Sequence, residues 1–217
     1  MFLRVFRIAY SNEAGTAFAI DVDSRQYLVT AKHVVSGIKD GHEIGIYNNT
    51  NWVQLPVRVI DIADTNIDIT VLILSGILSN AGSAETTTIG VHLGKEVYFF
   101  GFPFFVHSGG NELTRDFPIA CVKRAIVSAF QPNALWLDGM NNPGFSGGPV
   151  AYQDSPSKRP RIIGVVSGYL SVAEAVRYRG KPNSDLQSFS NTGLIKCYPI
   201  DSAIDAIKRR PEGPKLN

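Results

Sequence analysis

Short apolar runs, each broken after a handful of residues by glycine, proline, asparagine or serine, limit what this chain can fold into. A run of about four to eight residues between turn formers suits a strand and is too short for most helices. Sustained helical periodicity is scarce, so an all-β fold is expected. Residues 53–59 alternate apolar with other side chains at period two, as a strand with one face on a core requires. Pro56 within them belongs at an edge or a bulge, because proline has no N–H for a ladder. Further strands are expected at 16–22, 26–30, 68–74, 96–100, 122–130, 134–137, 162–167 and 194–198. Helix is expected only near the end, where Ser202 and Asp205 read as a capping box, Ile204 and Ile207 share a face and Pro211 stops the run. No solenoid-type repeat is present.

A chain of 217 residues has room for one or two domains and can bury most of the surface its unfolded form exposes. Residues 75–90 are small and polar, the composition of a connector. The expected division is residues 1–80, residues 81–200, and a terminal helix with its tail, 201–217. A second polar stretch, from Ala173 to Asn191, is expected to be a mobile specificity loop.

With 21 basic against 19 acidic residues the net charge is +2, and no basic patch is interleaved with aromatics, so nucleic acid is not expected as a partner. The one basic cluster, Lys208, Arg209 and Arg210, falls at the end of the expected helix, where cations oppose the dipole and stay solvated. The first ten residues carry Arg4 and Arg7 and lack the unbroken apolar core of a leader. No uncharged apolar run approaches the ~18 residues of a membrane span. Cys121 and Cys197 sit in strand-like sequence and read as small buried hydrophobes, not as a disulfide framework.

Three segments carry chemistry. In the run from Asn142 to Pro149, Ser146 stands between glycines that let backbone amides converge on one point. A serine hydroxyl needs a base to take its proton and donors for the oxyanion that follows. In the run from Leu28 to Val35, His33 closes an apolar strand, and in the run from Asn66 to Leu72, Asp68 interrupts one. A carboxylate among apolar neighbours is costly unless something hydrogen-bonds it, and a histidine is the obvious donor. Singly, each has a plain structural reading: an exposed turn, a satisfied core histidine, a turn-capping carboxylate. Asp61 and Asp64 are rival carboxylates but lack the flanking Ile67 and Ile69. His42, His92 and His107 have no comparable setting, and with two cysteines no zinc constellation is expected.

The order His33, Asp68, Ser146 is one of the known orders of a hydrolytic triad. The segments GTAFAI, TAKHVV, NIDITVL and GFSGGPV resemble, in sequence and in order, those of the chymotrypsin-like serine peptidases, especially the bacterial branch with HtrA-type peptidase domains. The resemblance runs from Gly15 to Ile200. It implies two six-stranded antiparallel β-barrels, His33 and Asp68 on the first and Ser146 on the second, with the active site in the cleft between them and a helix closing the fold. It implies a serine endopeptidase in which Ser146 is the nucleophile, His33 the general base and then acid, and Asp68 the group that orients the imidazole. The amides of Gly144 and Ser146 would form the oxyanion hole. Ser167 would support the aspartate, and the edge of Ser167, Gly168 and Tyr169 would hold the substrate backbone. Met140 and Gly193 would complete the specificity pocket. Neither cofactor nor metal is implied, and the partner is a polypeptide substrate.

Departures from the digestive-enzyme pattern shape these expectations. Phe145 stands where zymogen-forming members have an aspartate that pairs with a new amino terminus, and no Ile-Val-Gly-Gly start is present. Activation by N-terminal cleavage is therefore not expected, and control would come from ordering residues 142–145, through a regulatory protein partner. Met140 replaces the acidic residue that selects arginine and lysine, which implies small or medium apolar residues before the cut bond. Val34 replaces the cysteine that secreted relatives carry after the histidine, which implies a reducing, cytoplasmic setting. No PDZ-like module is expected after the helix. Two other readings stay open: a pseudopeptidase that binds peptides without cutting them, and an esterase on the same triad.

Overall fold

Short strands, one of them alternating and several of them buried along nearly their whole length, build the first half of the chain. In the computed structural model, which describes residues 1–48, 50–109, 117–178 and 181–216, six strands form the first unit. They are β1 (Val5–Tyr10), β2 (Glu13–Val22), β3 (Arg25–Thr30), β4 (Glu43–Tyr47), β5 (Trp52–Ile60) and β6 (Thr70–Leu74). Their order β1-β2-β3-β6-β5-β4 closes into a barrel where Ile8 pairs with Ile46 and Ala9 with Gly45. Val57 and Val59 of β5 are buried while Arg58 between them is exposed, as the alternation requires. Pro56 pairs with Glu43 of β4 alone, because pairing with β6 starts only at Val57, so its missing N–H costs no ladder bond there. β6 lies between β3 and β5 and is buried along its whole length.

The second unit comprises β7 (Glu85–Thr86), β8 (Glu96–Gly101), β9 (Cys121–Gln131), β10 (Ala134–Asp138), β11 (Pro149–Tyr152), β12 (Arg161–Tyr178) and β13 (Lys181–Pro199). The sheet order is β11-β8-β9-β10-β13-β12-β7, and a further pairing of β11 with β12 closes six of these strands into a ring. β7 adds a short parallel rung beside Arg161 and Ile162. The two-barrel, all-β expectation therefore holds. Strands β1, β4, β7 and β11 are additions to the sequence reading.

The expected loop between Ala173 and Asn191 is replaced by a hairpin arm. β12 and β13 continue past the barrel and pair with each other, Ser171 with Asn191 through to Tyr178 with Lys181. Alternation of small, β-branched and aromatic residues in this stretch supports strand pairing despite its polarity. The tip at 179–180 lies outside the described residues.

α1 (Asp201–Arg209) follows β13 directly. The capping-box expectation fails, because the residue at the helix N-terminus is Ile200 and no side chain caps it. The helix starts two residues earlier than expected, and Asp201 instead accepts a hydrogen bond from Thr88 Oγ1 at 2.6 Å. Ala203, Ala206 and Ile207 of α1 pack into one apolar cluster with Ile60, Ile67 and Val71 of the first barrel and Ile162 and Val165 of the second. Of the basic cluster, Arg210 is engaged: its guanidinium donates to the Val59 carbonyl at 3.0 Å and to Glu212 at 2.9 Å. The residues after the helix then cross the first barrel, with Gln26 N–H on Pro214 O at 3.0 Å and Leu216 N–H on Ser24 O at 2.9 Å. Arg4, 2% exposed, fastens the connector to the same barrel by pairing with Asp21 at 2.6 Å while donating to the carbonyls of Ala81 and Gly82. Cys121 is half-buried, Cys197 buried, and both are free. Among the described residues, no helix is long and apolar enough to cross a membrane.

Candidate active site

Three elements converge where the barrels meet. A single 3-10 turn (Lys32–Val35) follows β3, its Val34 and Val35 buried, which leaves His33 turned outward with its side chain half-exposed. Asp68 immediately precedes β6, between the buried Ile67 and Ile69. Its carboxylate is fully engaged: Oδ2 lies 2.7 Å from His33 Nδ1 and accepts Ser167 Oγ at 2.5 Å, and Oδ1 accepts the His33 backbone N–H at 2.9 Å. Burial acts to raise the Asp68 carboxyl, but the hydrogen bonds from His33 and Ser167 together outweigh it and hold the group below its ordinary range. The hydrogen bond to Asp68 raises the His33 imidazole above its usual value against the opposing effect of burial, helped by the charges of Asp68 and Glu13. An imidazole bonded through Nδ1 to a carboxylate keeps its proton there and leaves Nε2 as the basic nitrogen.

Ser146 belongs to the turn leading into β11. Its hydroxyl donates to the Ser167 carbonyl at 2.9 Å, and among the described residues no hydrogen bond joins it to His33. The peptides before it are fixed by their carbonyls. Phe104 N–H bonds Pro143 O at 3.3 Å, while Thr16 Oγ1 at 2.7 Å and Phe102 N–H at 3.4 Å bond Gly144 O. In a trans peptide the N–H points opposite to the C=O, so the Gly144 N–H faces away from Phe104. The amides of Gly144 and Ser146 have no acceptor among the described residues. Gly144 adopts φ +103°, and a Cβ there would come within 2.3 Å of Phe102 O. Gly147 is equally obligatory, at φ +83° with the Thr16 carbonyl 2.1 Å from where a Cβ would stand.

A family model described as the trypsin-like peptidase domain matches residues 15–155. The chain belongs to that family. The crystal structure of the serine endoprotease from Yersinia pestis matches with a TM-score of 0.62 and 18% identity, covering 96% of this chain and 62% of that one. The present chain thus spans less than two thirds of that relative, and what the two share at this identity is the fold. No curated protein matches the sequence.

In this trypsin-like peptidase domain the segments that carry Met140 and Gly193 lie side by side. Gly139 N–H bonds Gly193 O at 2.8 Å, Asn191 Nδ2 bonds Asn141 O at 2.8 Å, and Gly193 N–H bonds Asn191 Oδ1 at 2.9 Å, so the segments 139–141 and 191–193 are zipped side by side. The Met140 side chain is 54% exposed, and Tyr169 stands exposed on β12. A cavity of about 230 Å³, lined by Asn12, Gly15, Phe104 and Pro143 among others, opens beside the Pro143 to Gly144 peptide.

Two residues that shape this domain's site escape the sequence reading. Thr16 is fully buried; its hydroxyl holds Gly144 O and receives Phe102 N–H at 3.2 Å, and its N–H bonds Ser146 O at 2.9 Å. A buried hydroxyl in an apolar strand needs a partner just as Asp68 does, and that signal was available. Lys123 of β9 donates to Met140 O at 2.9 Å and to Asn142 Oδ1, and its ammonium lies 5.5 Å from the centre of the Phe145 ring. Phe145 itself is fully buried, edge-on to Phe99 at 4.9 Å between ring centres. No local pattern around Lys123 announces that role, because it depends on which strand faces the loop.

Proposed function

We propose that this chain is a serine endopeptidase in which Ser146 attacks the peptide carbonyl, His33 takes its proton and returns it to the leaving amine, and Asp68 holds the imidazole. The acyl-enzyme is then hydrolysed by water with His33 again as base. One observation carries this reading: Asp68 receives three hydrogen bonds, two of them from His33, which commits the Nδ1 side of the imidazole and turns Nε2 into the base. The amides of Gly144 and Ser146, which have no acceptor among the described residues, suit the charge that develops on the carbonyl oxygen. The Ser146 hydroxyl leaves the Ser167 carbonyl when the substrate's backbone N–H takes that acceptor, and it then reaches His33.

The pocket formed near Met140, Gly193 and the strand of Ser167, Gly168 and Tyr169 takes small or medium apolar residues before the cut bond. The Lys123 cation on the Met140 wall opposes basic ones. A peptide-library profile dominated by arginine or lysine at that position would overturn this specificity. Phe145, buried against Phe99, occupies the position of the activating ion pair of zymogens, so no N-terminal cleavage is required.

A second reading, a peptide-binding module without turnover, draws on the Ser146 hydroxyl resting on Ser167 O instead of on His33. A fluorophosphonate probe separates the two. Covalent labelling of the native chain, abolished in Ser146→Ala, is expected for the peptidase; absence of labelling under all conditions would favour the binding module.

A further inference from the structure

The arm formed by β12 and β13 leaves the second barrel as a two-stranded ribbon. Past Val165, which pairs with Pro149 of β11, β12 has a strand on one side only, β13, throughout its described length. Every residue from Tyr169 to Ala175 is exposed, and the ribbon carries Leu170 at 42%, Val172 at 43% and Phe189 at 69% exposure. An isolated two-stranded ribbon is only marginally stable in water and gains from a third strand. Backbone groups alternate in direction along a strand, so half of those between Ser167 and Val176 point away from β13 along an edge that pairs with no other strand among the described residues.

This edge starts at the nucleophile. Ser146 Oγ lies on the carbonyl of Ser167, and β12 runs unbroken in sequence from there to Tyr178, with register shifts but no change of partner. A polypeptide that pairs with the edge near Ser167 and continues outward meets the arm next. We infer that the outer edge of β12 from Ser171 to Val176 is an extended docking strand for the substrate. The chain to be cut is then an unfolded polypeptide whose segment on the amino side of the cut bond lies antiparallel along the arm. The inference rests on the proposed endopeptidase reading, in which the acyl half of the substrate occupies Ser167 to Tyr169. At about 3.3 Å per residue the edge from Ser167 to Val176 spans roughly 33 Å and accommodates about ten substrate residues. Main-chain pairing supplies affinity that is tolerant of sequence, and Leu170 and Val172 favour apolar residues at alternate positions. A folded substrate cannot offer a free strand of that length, so extended or unfolded segments are selected.

The test uses fluorescein-labelled peptides sharing one cleavage sequence, with unstructured upstream extensions of about 3, 6, 9 and 12 residues. Their binding to the full Ser146→Ala chain is read by anisotropy, and their turnover by the native chain as kcat/KM. Affinity is expected to rise about tenfold or more up to roughly ten upstream residues and then level off. N-methyl groups at alternate upstream amides should remove the gain, and a variant with residues 173–189 replaced by Asn-Gly should show no dependence on length. Length-dependent binding without turnover would refute the endopeptidase reading and leave the docking strand standing. A flat binding series, with or without an arm-dependent dimer of the chain, overturns the docking strand even if short peptides are cut.

Discussion

In the proposed mechanism His33 and Asp68 set the pH range in which the site works. A base must be neutral to accept a proton, and His33 titrates above its usual value because its hydrogen bond to Asp68 favours the cation. As pH falls through that raised value, kcat/KM is expected to fall, so the acid limb of the profile should lie above about 6.5, the ordinary histidine value. In Asp68→Asn the imidazole loses its orientation, and kcat is expected to drop by about 10⁴, with measured pH-rate profiles as the check. An acid limb below the ordinary value in the native chain would contradict the hydrogen-bonded pair. Gly144 belongs to the same scale. With φ +103° and Phe102 O in the way, Gly144→Ala must turn the peptide that carries the Gly144 N–H. Turnover is expected to fall on the order of 100-fold to 1,000-fold, while Kd for a substrate analogue changes little, a split readable by steady-state kinetics beside direct binding.

Strand β9 and the turn before β11 are coupled through one side chain. Lys123 reaches Met140 and Asn142, and Asn142 O in turn accepts the Phe145 N–H at 3.3 Å, closing the turn that presents Gly144. Beneath it the Phe145 and Phe99 rings form an apolar plug, a contact of about 0.5–1.5 kcal/mol beyond burial alone. The loop is thus held by a cation above and an aromatic pair below. Lys123→Met removes charged hydrogen bonds worth about 1.5–3 kcal/mol while keeping the aliphatic stem. It is expected to lower kcat about tenfold or more with KM nearly unchanged, and Lys123→Arg should recover part of the loss. An unaltered kcat would show that the aromatic plug alone orders the loop. The two long strands of the arm make the opposite bargain: they extend beyond any core and keep exposed apolar side chains that a third strand can cover.

At the scale of the molecule, the first barrel is strapped by both chain termini. Arg4 joins Asp21 to the connector, and the segment after α1 runs back across β3 with a hydrogen bond from Arg25 to Gly213 O at 2.5 Å and from Arg58 to Glu212 at 2.6 Å. His33 and Asp68 therefore keep their positions relative to Ser146 through packing that involves the barrels, α1 and the tail. Arg4→Ala would strand Asp21 as a part-buried charge and free the connector. Breaking such a pair costs about 3–5 kcal/mol, and thermal or urea unfolding is expected to register most of it. At about 2–4 °C per kcal/mol for a chain of this size, Tm should drop by roughly 6 °C or more. A change within about 1 °C would mean that the pair is solvated in solution.

Much of the architecture was legible because strand pattern is local. Alternation in residues 53–59, the short apolar runs and the polar connector give the barrels away, and the cost of an unpaired carboxylate singles out Asp68 beside His33 and Ser146. Strands β1 and β4 were harder to read: β1 carries Arg7 within an N-terminal segment weighed as a leader, and Gly45 weakens the pattern of β4. What the chain decides only in three dimensions is who partners whom. The folding of 173–191 into an arm depends on pairing between distant strands, and the missing capping box depends on Ile200 emerging directly from β13. That Thr16 and Lys123 grip the loop before Ser146 is set by which strands face it across the barrel. Alternation and burial cost are properties of neighbours in sequence, whereas hydrogen bonds across some hundred residues exist only once the barrels have closed.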